Sequence, residues 1–542
     1  MSMPLECVVI GNTEFSVQER LLTSDPISQT CCRRQYIRYR GHSFFYNEWF
    51  SYLKASPLEE HLSGYSPGDL TINEIPFYPV IFLSNYLSQK GLRTECVNHF
   101  DSGKERISRL LEQEPKVIVI SIGASSNSLP LLKIVKFVRS LQPDVKIVVS
   151  GQYIYNKWAT SDSEEWYQSM RVIGSDYYVI NIPGERAIHE LVRGLIDGTP
   201  VTGLKNIFIM DGGTPLFNGL ESMDSELDSY CIDWDAMGGQ ILGSVVAMNT
   251  SKGCPYRCSF CNFPIKNKVF QMSSVETIER QLRQLAKMGV QFIIFNDDTF
   301  NVPNKRFKDL CKMMIENRFN FQWFCYFRLK ETDEETIILM KESGCRGVFL
   351  GIESADDGIL ENMNKLARRK DYERGLDLLN KHGIMSFAFF LVGFPGETEE
   401  TVRSTVEFIE TAGITFYTAN LWYADSSTPI YKDKTRYGLT GKDFNWSHLT
   451  MDSRQASVWT DHLFLNVKKA IWIPNENFGF QGVPYLMSKG YSIEQITALL
   501  RDAAVLVSGN LVSGDANPEA VIEEMRQVLG AVTPVVQEEI NS

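Results

Sequence analysis

The chain of 542 residues contains no apolar run that approaches the ~20 residues needed to cross a bilayer, so no membrane-spanning helix is expected. Its first residues lack the basic, apolar and small-residue order of a secretory signal. Basic residues are in deficit, 54 Lys and Arg against 66 Asp and Glu, and the net charge of -12 argues against a nucleic-acid backbone as partner. Cysteine is scarce: the 11 present are odd in number and partly clustered, which suits a reducing cytosol better than a disulfide framework. These absences predict a soluble, cytoplasmic protein with neither a nucleic-acid nor a membrane partner. The length predicts two to four domains, and 44% hydrophobic residues can fill their cores.

What is present is concentrated in residues 251–264. Cys254, Cys258 and Cys261 stand at the spacing C-x3-C-x2-C, after a strand-like run (Ser244 to Thr250) and before a long helical pattern. Three thiolates this close can cap three corners of a cubane iron–sulfur cluster, and the lack of a nearby fourth leaves one iron open to bind a substrate. A structural zinc site would want four closed ligands, commonly in C-x2-C pairs, and no second pair or His-x-His element occurs.

Strand candidates recur downstream at 244–250, 291–296, 322–327, 347–352, 386–392 and 415–422, separated by helical patterns. Six β/α units predict a partial TIM-type barrel, whose chemistry lies at the carboxyl ends of the strands. The polar clusters fall there: Asn296-Asp297-Asp298, Arg328, Gly351-Ile352-Glu353-Ser354 and Gly393 to Glu397. Upstream, residues 74–198 alternate strands and helices as a parallel sheet does. Small-residue loops follow its strands at Gly123, Ser125 and Ser126, at Gly151-Gln152, and at Gly184-Glu185. Such loops at the carboxyl ends of an open α/β sheet are where ligands bind.

The cysteine spacing, with Phe260 just before the third cysteine, resembles the signature of the radical S-adenosylmethionine (SAM) enzymes. With the sheet domain ahead of it, the whole resembles the cobalamin (B12)-dependent branch of that family; the match covers roughly 370 residues, and the cysteine motif is its most specific part. The resemblance implies a [4Fe-4S] cluster on Cys254, Cys258 and Cys261. It implies SAM held near Phe260, Asp297, Asp298, Arg328, Glu353, Ser354, Phe394 and Gly396. It also implies cobalamin near Gly123, Ser125, Ser126, Gly151, Gln152, Gly184 and Glu185. The D-x-H-x-x-G motif that supplies a histidine to cobalt in many B12 proteins is absent, and Asn98-His99-Phe100 has the wrong form. Cobalamin without a histidine beneath cobalt is the expectation.

The implied layout is an N-terminal Rossmann-like cobalamin-binding domain (1–198), a linker (199–243), a radical SAM partial (β/α)6 barrel (244–440) and a mainly helical C-terminal substrate cap (441–542). In the cap, Trp446, His448 and Tyr485 read as core packing before substrate contacts. The implied activity is a methyltransferase acting on an unactivated carbon, or less expectedly a phosphinate phosphorus, of a specialised metabolite or peptide. It would proceed through a 5′-deoxyadenosyl radical and methylcobalamin, with a flavodoxin- or ferredoxin-type reductant. The alternative is a non-methylating B12-dependent cyclase or ring-rearranging oxidoreductase. A tRNA methylthiotransferase would need three further cluster cysteines and a basic RNA-binding domain, and neither is evident.

Overall fold

The computed structural model describes residues 4–13, 17–22, 24–54, 70–123, 127–180, 184–210, 215–221, 227–240, 243–263, 270–330, 332–512 and 519–531. Ser125, Ser126, the expected turn at 66–69, Pro264 and the expected frayed end at 537–542 lie outside the described residues.

Two parallel sheets organise the chain. The first comprises β1 (Cys7–Asn12), β2 (Thr94–His99), β3 (Val117–Ile122), β4 (Lys146–Gly151), β5 (Tyr177–Val179), β6 (Ile207–Ile209) and β7 (Leu216–Phe217). Its order is β2-β1-β3-β4-β5-β6-β7, parallel through β5. All six residues of β3 are buried, as expected of a central strand covered by helices on both faces. The order reverses between β1 and β3, and ligands of open α/β sheets bind at such a switch point.

The sequence assigned 199–243 to a linker, and the structure corrects this: β6 and β7 add antiparallel to the edge of the first sheet. Ile207, Phe208 and Ile209 are all buried, because the edge of β5 would otherwise present unpaired backbone to water.

The second sheet runs β8 (Val245–Met248), β9 (Phe292–Phe295), β10 (Gln322–Tyr326), β11 (Cys345–Glu353), β12 (Met385–Val392), β13 (Phe416–Leu421) and β14 (Ile471–Trp472), in that spatial order and all parallel. The six expected strands are present, and β14 is a seventh supplied by the segment read as a cap. That segment also carries a three-stranded meander at 440–452. Inside the barrel Phe324, Phe349, Phe387 and Phe416 form an aromatic floor, with centroid separations of 4.8 Å for Phe349–Phe387 and Phe387–Phe416.

The N-terminal boundary shifts as well. Residues 26–54 pack on the C-terminal helices instead of the first sheet. Arg34, 1% exposed, pairs with Asp461, Arg20 with Glu476 at 2.6 Å, and Tyr46 and Phe50 pack on Phe478. Segments from the N- and C-terminal parts of the chain thus pack on one another as a belt beside β14. The aromatic-rich stretch from Tyr36 to Phe50 is this packed layer.

Gly151, ending β4, has φ +109°, and a Cβ there would lie 2.1 Å from the Ile122 carbonyl oxygen. Gly151→Ala is therefore expected to cost at least ~2 kcal/mol, seen as a melting temperature several degrees lower. An unchanged melt would show that the strand ends can spread.

Candidate active site

The cysteine loop is built onto the barrel by one carboxylate. Asp297, fully buried after β9, accepts from the Thr250 and Ser251 amides at 2.7 and 2.6 Å and from the Thr250 hydroxyl at 2.6 Å. Arg306 donates to the Thr250 and Ser273 carbonyls at 3.0 and 2.9 Å, holding the same corner from outside. Farther along, the Ser259 amide donates to Met363 O at 2.8 Å, and the Asn364 side chain donates to Arg257 O at 2.7 Å. The cysteine loop is thus fixed before any metal enters.

The three sulfurs lie close enough for Cys258 to act on the thiols of Cys254 and Cys261. Burial and the neighbouring thiols push Cys261 up to about 11, and burial raises Cys254. The Phe263 amide donates to Cys261 Sγ at 3.4 Å, and the Tyr256 amide favours the thiolate of Cys254. This donor set fits a cluster's three corners: soft thiolates, half-buried, with backbone N–H groups to stabilise the anionic form. Among the described residues no three His, Cys, Asp or Glu side chains converge as ligands of one metal ion.

Above the cysteines the strands open into a cup. In a strand covered on both faces, partial exposure of alternate residues marks an open interior, and here it marks Tyr326, Gly351, Glu353, Phe389, Leu391 and Asn420, all near carboxyl ends. Glu353 carries φ +71° at a register shift between β11 and β12 and accepts from Lys365 Nζ at 3.1 Å. A left-handed glutamate of this kind is strained, and such strain gathers at ligand sites. Arg328 stacks 3.6 Å from the Tyr256 ring centroid and donates to the Lys365 carbonyl. Asp298 is solvent-accessible on the cup wall, yet crowding by protein and by Asp297 lifts its carboxyl to about 8.

Asp298, Arg328, Glu353 and Phe260 thus cluster around the cysteine loop, with Lys365 as an unforeseen partner 5.4 Å from the Phe260 ring. Asp297 and Ser354 do not line the cup, and Phe394 meets it only through the Phe260 ring, edge-on at 6.4 Å. Asp297 is spent on the loop, Ser354 is buried and accepts from the Asp356 amide at 3.2 Å, and Phe394 is buried against Trp422. Gly396 belongs to the same turn at φ +98°. Glu397 closes that turn: fully enclosed, it accepts from the Gly393 amide, and burial lifts its carboxyl to about 8. Trp446 and His448 stack on each other behind this turn, and Tyr485 is buried with its hydroxyl bonded to the Thr71 amide. All three are packing residues.

At the other sheet, the Gly123 amide donates to the Asn12 side chain at 3.0 Å, across the switch point between β1 and β3. Gly151, Gln152 and Gly184 sit at the carboxyl ends of their strands, each half-buried. Glu185 turns to the barrel: it pairs with Lys252 of the cysteine loop at 2.7 Å, and the Lys252 ammonium lies 4.4 Å from the Phe82 ring centroid. The two candidate cofactor faces therefore meet at this contact. Asn12, Asn98 and His99, which share the rim, were not singled out as ligands; burial holds the His99 pKa below the usual histidine range.

The model of the Radical SAM superfamily matches residues 248–409, a span that holds the three-cysteine loop and most of the partial parallel barrel. The two sheets together have the fold of cobalamin-dependent radical SAM enzymes of known structure. An uncharacterised methyltransferase of Pyrococcus horikoshii is 26% identical over 320 residues, 57% of this chain and 67% of the relative. The chain spans less than half the length of other curated relatives it matches. By structure it is similar to the radical SAM methyltransferase TsrM of Kitasatospora setae (TM-score 0.56, 19% identity, 67% of this chain and 72% of that one), solved with cobalamin and a [4Fe-4S] cluster. It is also similar to the cobalamin-dependent radical SAM enzyme OxsB (TM-score 0.57, 14% identity, 97% and 79%), solved with aqua-cobalamin and SAM. At these identities the two structures establish the fold.

Asp297→Ala would leave two buried amides without an acceptor, about 1–3 kcal/mol each. The variant is expected to retain less than half the wild-type iron after reconstitution, whereas Asp297→Asn, which keeps one acceptor oxygen, retains most of it. Iron analysis decides.

Glu397 makes a pH prediction. Its folded pKa lies above the unfolded value, so the folded state holds a proton that the unfolded state releases, and stability falls as pH rises from about 4.5 to 8. Anaerobic melts at pH 5.5 and 8 are expected to differ less in Glu397→Gln than in the wild type.

Proposed function

We propose that this chain is a cobalamin-dependent radical SAM methyltransferase that methylates an unactivated carbon of a small molecule or peptide. The observation carrying this reading is the Lys252–Glu185 contact, which joins the three-cysteine cup to the glycine- and asparagine-rich rim of a parallel sheet.

Cys254, Cys258 and Cys261 would hold three irons of a [4Fe-4S] cluster. Asp298, Arg328 and the Glu353–Lys365 pair would orient SAM, offering both charges that a zwitterionic amino-acid end requires. Gly123, Gly151, Gln152 and Gly184 would admit cobalamin, since residues without bulk let a large planar ligand approach the backbone. When bound, cluster and SAM supply a 5′-deoxyadenosyl radical for hydrogen abstraction, and methylcobalamin supplies the methyl group. The protein's own part is placement and exclusion of water. Phe389, Leu391 and Phe480 make one wall of the cup apolar, and the belt of N- and C-terminal segments packs beside β14. A flavodoxin- or ferredoxin-type protein is the proposed electron donor, and the cytoplasm the proposed compartment. No helix among the described residues is long and apolar enough to cross a membrane.

The test is cofactor content after anaerobic purification, followed by turnover with methyl-labelled SAM. Four irons and one cobalamin per chain, with label appearing in product, are expected. Four irons without cobalamin, even when it is supplied, would remove methylcobalamin from the reaction. Both cofactors without label transfer would favour the cyclase or rearrangement reading.

A further inference from the structure

One side of the cup is used by none of the groups above, and it is chemically unlike the side that holds the cysteines. Phe480, from the segment after β14, enters the barrel and packs 4.1 Å from Phe349, 4.9 Å from Tyr326 and 6.5 Å from Phe389 by ring centroids. Beside it, Asn475 Nδ2 donates to Asn420 Oδ1 at 2.8 Å. Asn475 is itself held from behind: its backbone amide, and that of Glu476, donate to the buried Gln35 side chain at 2.6 and 3.2 Å. The amide pair is thus a built feature, fixed by the N-terminal belt.

The bond between the two side chains uses one of the two N–H groups of Asn475 and one lone pair of the Asn420 oxygen. Asn420 keeps its NH2 group and Asn475 its carbonyl oxygen, side by side and half-exposed. Two positions deeper on β13, the Thr418 hydroxyl is 2% exposed and has no hydrogen-bond partner. Thr418, Asn475, Phe389 and Phe480 line one void of about 10 Å³. A buried hydroxyl without a partner costs about 1–3 kcal/mol, so this corner is arranged for a polar group to arrive. Among the described residues no charged side chain lines this void.

We propose that Asn420 and Asn475 read an amide-type edge, one acceptor beside one donor, on a neutral substrate whose apolar body lies against Phe389, Leu391, Tyr326 and Phe480. The assignment rests on the radical SAM reading for its claim that the cup is the substrate site. A paired donor and acceptor select an edge with the opposite order, such as a carboxamide, lactam or peptide group. A carboxylate would set an acceptor against the Asn475 oxygen, and a hydrocarbon would leave both groups unsatisfied; sites of this kind reject analogues lacking the matching group strongly.

The test uses the anaerobic full-length holoenzyme and three probes of equal size: 2-naphthamide, 2-naphthoate and 2-methylnaphthalene, with affinities read by ligand-observed NMR and calorimetry. The amide is expected to bind at least tenfold tighter than either analogue. Asn475→Leu should erase this preference. Phe480→Leu should weaken all three probes alike while keeping the preference, which controls for misfolding. Equal affinity for the three probes, no binding of the amide, or a preference that survives Asn475→Leu would overturn the proposal. Iron and cobalamin are assayed on the same samples. Cofactor-loaded protein without amide selection sinks this assignment alone, and amide selection in protein that cannot take up cobalamin sinks the function reading instead.

Discussion

The geometry of this molecule depends on one buried carboxylate. Asp297 has no exposed surface, and desolvation pushes its carboxyl above the usual aspartate range; it is held by two amides, one hydroxyl and the charge of Arg306. Such a group is expensive to bury and is tolerated because it supplies acceptors to two amides at a backbone corner that a two-residue pairing with Gln271–Met272 does not fully satisfy. The chain leaves β8 at Met248 and must turn at once to present Cys254 at the barrel's mouth. Without Asp297 the amides of Thr250 and Ser251 would be enclosed and unsatisfied. The whole cysteine loop is hung from that corner, and Lys252, which reaches the other sheet, is the next residue after it.

That second reach ties the cysteine loop to the first sheet, beside an apolar core shared by both. Glu185 occupies the first turn of helix Glu185–Asp197, where the dipole favours a carboxylate, and Lys252 meets it while resting on Phe82. An ion pair exposed to water would contribute little. This one is about four-fifths covered on both sides and lies at the edge of an apolar core that runs between the two sheets, so its main effect is on geometry.

Much of this was legible in the sequence, and the limits have physical causes. The six barrel strands show themselves because each is an apolar run flanked by helical periodicity, and the cysteines because no other chemistry uses that spacing so well. The short strand Ile471–Trp472 was missed: two residues carry no period, and their pairing with β13 comes from tertiary contact alone. The belt formed by residues 26–54 was assigned to the wrong domain because aromatic density announces burial without saying against what. Among the site residues, Asp298, Arg328 and Glu353 were found by their place after strands. Asp297, Ser354 and Phe394 share that place and point inward, since adjacent residues at a strand end face opposite ways. Asn420 could have been caught by the two-residue period of β13. Asn475 and Phe480 could not, because nothing local links them to the barrel.

The cup is divided by charge. On the cysteine side stand Asp298, Arg328 and the Glu353–Lys365 pair, both signs in one place. A zwitterion is well matched by such a surface, while a neutral molecule would gain nothing from it and lose hydration. On the opposite side Phe389, Leu391 and Phe480 surround one neutral amide pair. A charged ligand placed there would forfeit its hydration without a counter-ion, a large penalty in an enclosed site. Phe480 joins the open barrel edge to this division: by filling the interior beside Tyr326 and Phe349 it completes the apolar wall.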